Sequence, residues 1–163
     1  MAEMLLGLMQ DRPLQISAII RHGARYNGSR EIVSRGSDGA LSRYGFRDVE
    51  VRARRLAKGL ERLGVRPSDR VASLAWNTQR HLEMFYGVPG MGAVLHTLNP
   101  RLWDEQLAYI VRHAEDRVLM FDPDLLALVT RLAPRMPSVE TYVLLGSRDE
   151  LPRDCSLNLV AYE

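Results

Sequence analysis

Arg70-Val71-Ala72-Ser73-Leu74-Ala75, Ala93-Val94-Leu95-His96-Thr97-Leu98, Val118-Leu119-Met120-Phe121 and Thr141-Tyr142-Val143-Leu144-Leu145 are four short apolar runs. None shows the alternation of a strand with one wet face, so each reads as a strand covered on both sides. Helical patterns over Thr78–Tyr86, Asp104–Ala114 and Leu125–Leu132 fill the gaps between them. Strand and helix taking turns predicts an α/β fold with a mostly parallel sheet flanked by helices and right-handed crossovers. Ligands of such sheets collect outside the carboxyl ends of the strands. The residues just after each run are therefore the first place to look for a site.

Upstream of the first run, Leu14, Ile16, Ala18, Ile19, Ile20 and Ala24 suit an amphipathic helix that stops near Asn27-Gly28. Glu31–Ser34 and Leu41–Tyr44 flank Gly36-Ser37-Asp38-Gly39, a composition that predicts a β-hairpin. Val49, Ala53, Leu56, Ala57, Leu60 and Leu63 then recur at helical spacing against Arg52, Arg54, Arg55, Lys58, Glu61 and Arg62, and Gly64 supplies the stop. The parallel sheet is thus preceded by an N-terminal helix and a small β-hairpin. No repeat and no Pro-, Gly- or Ser-rich linker divides the chain, so residues 1–163 read as one unit, with 147–163 a looser tail after Gly146.

The composition fits that picture. The chain has 163 residues, 46% hydrophobic and 26% charged, which is long and apolar enough for a real core and excludes disordered or fibrous classes. Lys and Arg number 22 against 20 for Asp and Glu, a net charge of +2. Lys58 is the only lysine and the arginines are dispersed, so no field of the kind that gathers nucleic acid is present. Cys155 has no partner for an intramolecular disulfide or a thiolate metal site, an intracellular pattern. The apolar start carries Glu3 where a secretory leader carries Lys or Arg, and nothing has the length of a membrane span. A cytoplasmic protein is expected.

Motifs for chemistry are sparse. Gly87-Val88-Pro89-Gly90-Met91-Gly92-Ala93 runs from a helix to a strand, the reverse of a phosphate-cradling order, and no Gly-Lys-Ser or Gly-Lys-Thr exists. His22, His81, His96 and His113 are dispersed, and His81 with Glu83 two positions on would point apart on a helix, so no metal site is expected. No Gly-x-Ser-x-Gly elbow is present. Asp122 and Asp124 read as caps of the helix they open, and Trp76 and Asn77 as a packing residue and an N-cap. The residues contain no complete catalytic constellation.

Several fragments nevertheless fall into a known order. Tyr44-Gly45-Phe46-Arg47-Asp48-Val49, Ala57-x-x-Leu60-x-x-Leu63-Gly64-Val65, Ser68-Asp69-Arg70-Val71-Ala72, Trp76-Asn77, Gly92-Ala93-Val94 and Leu98-Asn99-Pro100-Arg101-Leu102 together resemble the amino-terminal region of AMP-forming acyl-CoA synthetases, the adenylate-forming ligase superfamily. Leu6-Gly7-Leu8-Met9-Gln10-Asp11-Arg12-Pro13-Leu14 resembles the bacterial medium- and long-chain fatty-acid branch. Ser68 stands where the family often has Gly, which alters a turn only.

The resemblance implies a fatty-acid-CoA ligase that joins acid, ATP and CoA into acyl-CoA, AMP and pyrophosphate through an acyl-adenylate, with Mg²⁺ as cofactor. The family's ATP loop, acidic ribose-binding residue and catalytic lysine follow the matched region, and Lys58 lies upstream of the first parallel strand. The chain is therefore expected to be a truncated amino-terminal subdomain, inactive alone, with no catalytic residue and with ATP, Mg²⁺ and CoA belonging to the parent enzyme. Arg101, after a strand end, corresponds to an arginine near the CoA phosphates in some relatives and is the one implied cofactor contact. Relatives dimerise through the amino-terminal domain, which makes Met4, Leu5, Leu6, Leu8 and Met9 the implied homodimer surface. Two other readings stay open: an aryl-CoA ligase fragment, and a non-catalytic binding or assembly module built on the same subdomain.

Overall fold

A computed structural model describes residues 11–36 and 39–163. Helix α1 (Ile16–Asn27) leads into an antiparallel hairpin of β1 (Glu31–Arg35) and β2 (Leu41–Gly45), in register from Glu31 opposite Gly45 to Arg35 opposite Leu41. Ser37 and Asp38, half of the expected turn, lie outside the described residues, as does the apolar segment Met4 to Met9. Helix α2 (Phe46–Arg62) opens with a carboxylate cap, Asp48 accepting the Gly45 N–H at 2.8 Å, and closes at Gly64, whose φ of +85° suits a residue without a side chain.

The remaining elements alternate. They are β3 (Arg70–Leu74), α3 (Gln79–Gly90), β4 (Val94–Thr97), α4 (Asp104–Ala114), β5 (Val118–Phe121), α5 (Leu126–Leu132), β6 (Thr141–Leu144) and β7 (Leu159–Ala161). The five strands from β3 onward form one parallel sheet in the order β4-β3-β5-β6-β7. The expected α/β architecture with its leading helix and hairpin is present.

Side chains alternate across this sheet. Val71, Val118, Met120 and Val143 pack with Leu60 of α2 and with Met84 and Val88 of α3. Ala72, Leu74, Leu119, Phe121 and Leu144 pack with Leu107 and Val111 of α4 and with Val129 and Leu132 of α5. Two helices therefore cover each face, which is why the strand runs carry no wet face.

Two local expectations are corrected. The helix predicted over Thr78–Tyr86 continues through Gly87, Val88 and Pro89 to Gly90, so those residues are not a connection. Gly87 is drawn into the helix by packing: a Cβ there would stand 2.8 Å from the Ala53 carbonyl oxygen, so its absence lets α3 lie directly on α2. Pro89 falls in the last turn and forfeits a single hydrogen bond. The N-cap of α3 is Thr78 rather than Asn77. Within the stretch 147–163, Leu159–Ala161 is a fifth parallel strand, in register with Tyr142–Leu144. Its three residues are too few to announce themselves by pattern.

Gly87→Val is expected to destabilise the fold by about 1–3 kcal/mol through overpacking, measured as a lower urea midpoint; an unchanged midpoint would show that α2 and α3 are not in close contact.

Candidate functional site

The chain leaves β3 in opposite directions along the sheet: β4 lies on one side and β5 on the other. The helices that follow β3 and β5 accordingly cover opposite faces, and the cleft between the carboxyl ends of these strands is the switch point where ligands of open α/β sheets sit. Trp76, just past β3, spans this cleft. Its backbone N–H donates to Asp122 Oδ2 at 2.6 Å and its indole Nε1–H donates to Asp124 Oδ2 at 2.9 Å. Asp122 is buried, and burial pushes its carboxyl above the ordinary range, while the Trp76 N–H works the other way.

The helix-capping roles expected for these two carboxylates are not the ones observed. Asp122 precedes a short 3₁₀ turn without a side-chain cap bond, because both acids are committed to Trp76 across the cleft.

Beside the cleft, His81 of α3 stands between Ser73 and Asn77, with Nε2 3.2 Å from the Ser73 hydroxyl and Nδ1 3.3 Å from Asn77 Oδ1. The order Ser–His–Asn has the outline of a nucleophile, its base and an orienting amide. Ser73 is fully buried in β3, however, and no acyl substrate can reach its hydroxyl. Burial also holds His81 below its usual pKa, which favours the neutral ring. The trio ties α3 to β3. Sequence reading separated these residues, since the strand-to-helix turn that brings positions 73, 77 and 81 together leaves no periodic signal.

Glu83 points away from His81, as expected, and into the molecule, where it is fully buried. Oε1 accepts Arg52 Nε–H at 2.7 Å and the Tyr44 hydroxyl at 3.2 Å, and Oε2 accepts the Tyr162 hydroxyl at 2.5 Å. Arg52 also donates to Glu163 at 2.9 Å, and Arg80 donates to the same carboxylate at 3.1 Å. Burial pulls the Arg52 guanidinium down, but its ionic hydrogen bonds to Glu83 and Glu163 outweigh that and hold it charged. Burial and the Glu83 charge push both tyrosines up, so they remain donors. The cluster joins the hairpin, α2, α3 and the end of β7 through one carboxylate. It was not anticipated from sequence; the available signal is that Glu83 lies four residues before Gly87, on the stripe that faces α2.

Arg101 sits past the end of β4, the open edge of the sheet. Asn99 Oδ1 accepts the Arg101 backbone N–H at 3.0 Å, and the Leu102 N–H donates to the Asn99 carbonyl at 3.1 Å, closing a turn. Among the described residues its guanidinium is given no carboxylate partner, whereas Arg117 is held by Asp69 and Glu140 and Arg131 by Asp104. An exposed, unspent guanidinium at a strand's carboxyl end fits a phosphate. Lys58 is on exposed α2 surface. Among the described residues no group of three or more His, Cys, Asp or Glu converges as a metal site, and no helix is long and apolar enough to cross a membrane.

Residues 20–159 match the family described as AMP-binding enzyme. The chain belongs to this family. Within the AMP-binding enzymes it is 49% identical over 146 residues to a 3-methylmercaptopropionyl-CoA ligase of Ruegeria pomeroyi, covering 90% of this chain and 27% of that protein. It is 42% identical over 159 residues to the medium-chain-fatty-acid–CoA ligase of Ectopseudomonas oleovorans, covering 98% of this chain and 29% of the relative. A solved structure assigned as a long-chain-fatty-acid CoA ligase of Rhodopseudomonas palustris superposes with a TM-score of 0.71 at 26% identity, over 90% of this chain and 38% of that one. The chain thus spans less than a third of the length of these two curated relatives.

Removing the Glu83 carboxylate strands a buried arginine and two phenols. Glu83→Leu is expected to cost about 3–5 kcal/mol, while Glu163→Ala, at a solvated pair, costs less than about 1 kcal/mol. Urea unfolding of the two variants checks this, and equal midpoints would contradict the network.

Proposed function

We propose that residues 1–163 form the amino-terminal subdomain of an AMP-forming acyl-CoA ligase. The parent enzyme activates a carboxylic acid with ATP to an acyl-adenylate and pyrophosphate, and the thiol of CoA then displaces AMP. The reading is carried by the family match over residues 20–159 together with 42% identity, across 98% of the chain, to a medium-chain-fatty-acid–CoA ligase. A fatty acid is the substrate on this reading. The 49% identity to a 3-methylmercaptopropionyl-CoA ligase favours a second substrate, a short thioether acid.

Arg101 is the residue of this chain assigned to CoA. Its forked guanidinium, without a carboxylate partner among the described residues and at the carboxyl end of β4, contacts a CoA phosphate. CoA when bound supplies the thiol nucleophile; Arg101 holds and orients its nucleotide end. On this reading ATP and Mg²⁺ are bound by parts of the parent enzyme beyond this chain, and the chain alone is inactive. The same reading includes a homodimer through Met4–Met9, which lie outside the described residues, and a cytoplasmic setting in keeping with the unpaired Cys155.

The test is ATP-dependent AMP release by the full-length parent with octanoate, palmitate, 3-methylmercaptopropionate and cinnamate, each with CoA. Turnover with a straight-chain fatty acid is expected, and preference for the thioether acid selects the second substrate. In that enzyme Arg101→Ala is expected to raise the KM for CoA roughly tenfold, the loss of about one charged hydrogen-bonding contact. Pyrophosphate exchange, which reports adenylation alone, is expected to continue. Failure with every acid contradicts the ligase reading, and an unchanged KM for CoA removes Arg101 from it.

A further inference from the structure

Arg101 sits on an excursion of the chain that leaves the sheet at the end of β4, turns, and returns along α4 to the start of β5. One side-chain pair closes that excursion at its base. His96 of β4 places Nδ1 2.7 Å from Oδ2 of Asp116, which follows the left-handed C-cap of α4 at Glu115. Asp116 is fully buried, and among the described residues His96 is the only donor to its carboxyl group. Burial pushes that carboxyl above the ordinary range, while the hydrogen bond from His96 and the Arg70 charge work the other way. At the far side of the turn, Asp104, the first residue of α4, accepts Arg131 Nε–H at 2.8 Å and Nη2–H at 3.0 Å. Arg101 thus lies between two fixed points, one on β4 and one at the start of α4.

The strand that carries this turn needs such a fixing. Among the described residues β4 is an edge strand bonded to β3 alone, and none of Val94, Leu95, His96 and Thr97 is buried. Its apolar pattern therefore specifies its register weakly. His96 is in register with Ala72 and so shares the sheet face that α4 covers. A slip of β4 by one residue would turn His96 to the other face, and a slip by two would bring Val94 or Leu98, neither of which has a side-chain donor, to its place. Either slip leaves a buried carboxylate without a hydrogen bond, which is costly. The observed register is the one that satisfies Asp116.

We propose that His96 is a positioning residue for CoA: through its hydrogen bond to Asp116 it fixes the register of β4 and with it the place of Arg101. His96 itself touches neither CoA nor the reacting atoms. The inference rests on the CoA role of Arg101 given above and adds the pair that holds the guanidinium where a phosphate can meet it. Losing the pair leaves Arg101 present but differently placed, so the cost falls on the affinity for CoA.

Steady-state kinetics of the full-length parent enzyme test it. His96→Leu alone strands the buried acid, so both partners are exchanged together in His96→Leu/Asp116→Leu, a replacement that buried ion pairs commonly tolerate. A thermal melt equal to that of the unaltered enzyme establishes that the variant is folded. It is expected to raise the KM for CoA about threefold or more and to leave the KM for ATP where it is, a split that a general loss of structure would not give. His96→Asn, which keeps an N–H close to the position of Nδ1, is expected to bind CoA as the unaltered enzyme does. Asp116→Asn, a milder change that removes the charge of the acceptor, is expected to raise the KM for CoA by less than the paired exchange. In an Arg101→Ala background the paired exchange is expected to add nothing to the KM for CoA, because the residue it misplaces is gone. Three results overturn the positioning role while leaving the CoA role of Arg101 in place: a KM for CoA that rises with Arg101→Ala but not with the paired exchange, equal rises for ATP and CoA, and an effect of the exchange that persists in full without Arg101. An unchanged KM for CoA in Arg101→Ala overturns both roles, and failure to turn over any acid contradicts the ligase reading on which they rest.

Discussion

A single buried carboxylate ties together elements that the chain leaves far apart. Glu83 has no access to water and accepts hydrogen bonds from Arg52 on α2, Tyr44 on β2 and Tyr162 at the end of β7. A buried charge is tolerated only when it is paired and its lone pairs are filled. The condition is met here by three donors drawn from the hairpin, a helix and the last strand. Without them the carboxylate would be forced out of the α2–α3 interface, and the position of β7 beside β6 would rest on three residues of backbone pairing and a few apolar contacts.

With that anchor in place, the carboxyl ends of the strands present three different kinds of chemistry. The β3–β5 cleft is filled from within by Trp76, whose two N–H groups occupy Asp122 and Asp124. The β7 end is knotted into the Glu83 cluster by Tyr162 and Glu163. The β4 end offers Arg101, whose guanidinium has no carboxylate partner among the described residues, and it lies on the open edge of the sheet. In this member of the AMP-binding enzymes Arg101 is therefore left exposed at a strand end, while Ser73 is buried beneath His81.

What could be read in the sequence follows from how local each signal is. The helix Asp104–Ala114 and the strand Val118–Phe121 have the bounds that their patterns predict, since apolar spacing and flanking stops lie within the elements themselves. The end of α3 was misplaced because Gly87 and Pro89 look like breakers until α2 is set against them, where a side chain at 87 would strike the Ala53 carbonyl. Strand β7 is only three residues, and its partner, Tyr142–Leu144, is separated from it by an irregular loop. Glu83 gave no motif, since its partners stand 31, 39 and 79 residues away in the chain. Asp122 and Asp124 were legible as a pair but not in their task, which depends on the backbone N–H and the indole of Trp76, 46 and 48 residues earlier. Arg101 was legible by resemblance alone; its free guanidinium is a property of the fold.

The Glu83 cluster, acting through Tyr162, should hold β7 as firmly as the interior strands. Native-state hydrogen exchange measures that directly. Amides that Tyr142–Leu144 and Leu159–Ala161 engage in their parallel ladder are predicted to exchange only with global unfolding, at the same free energy as those of Val118–Phe121. Amides of residues 159–161 that exchange far faster than those of β5, through local opening, would contradict it.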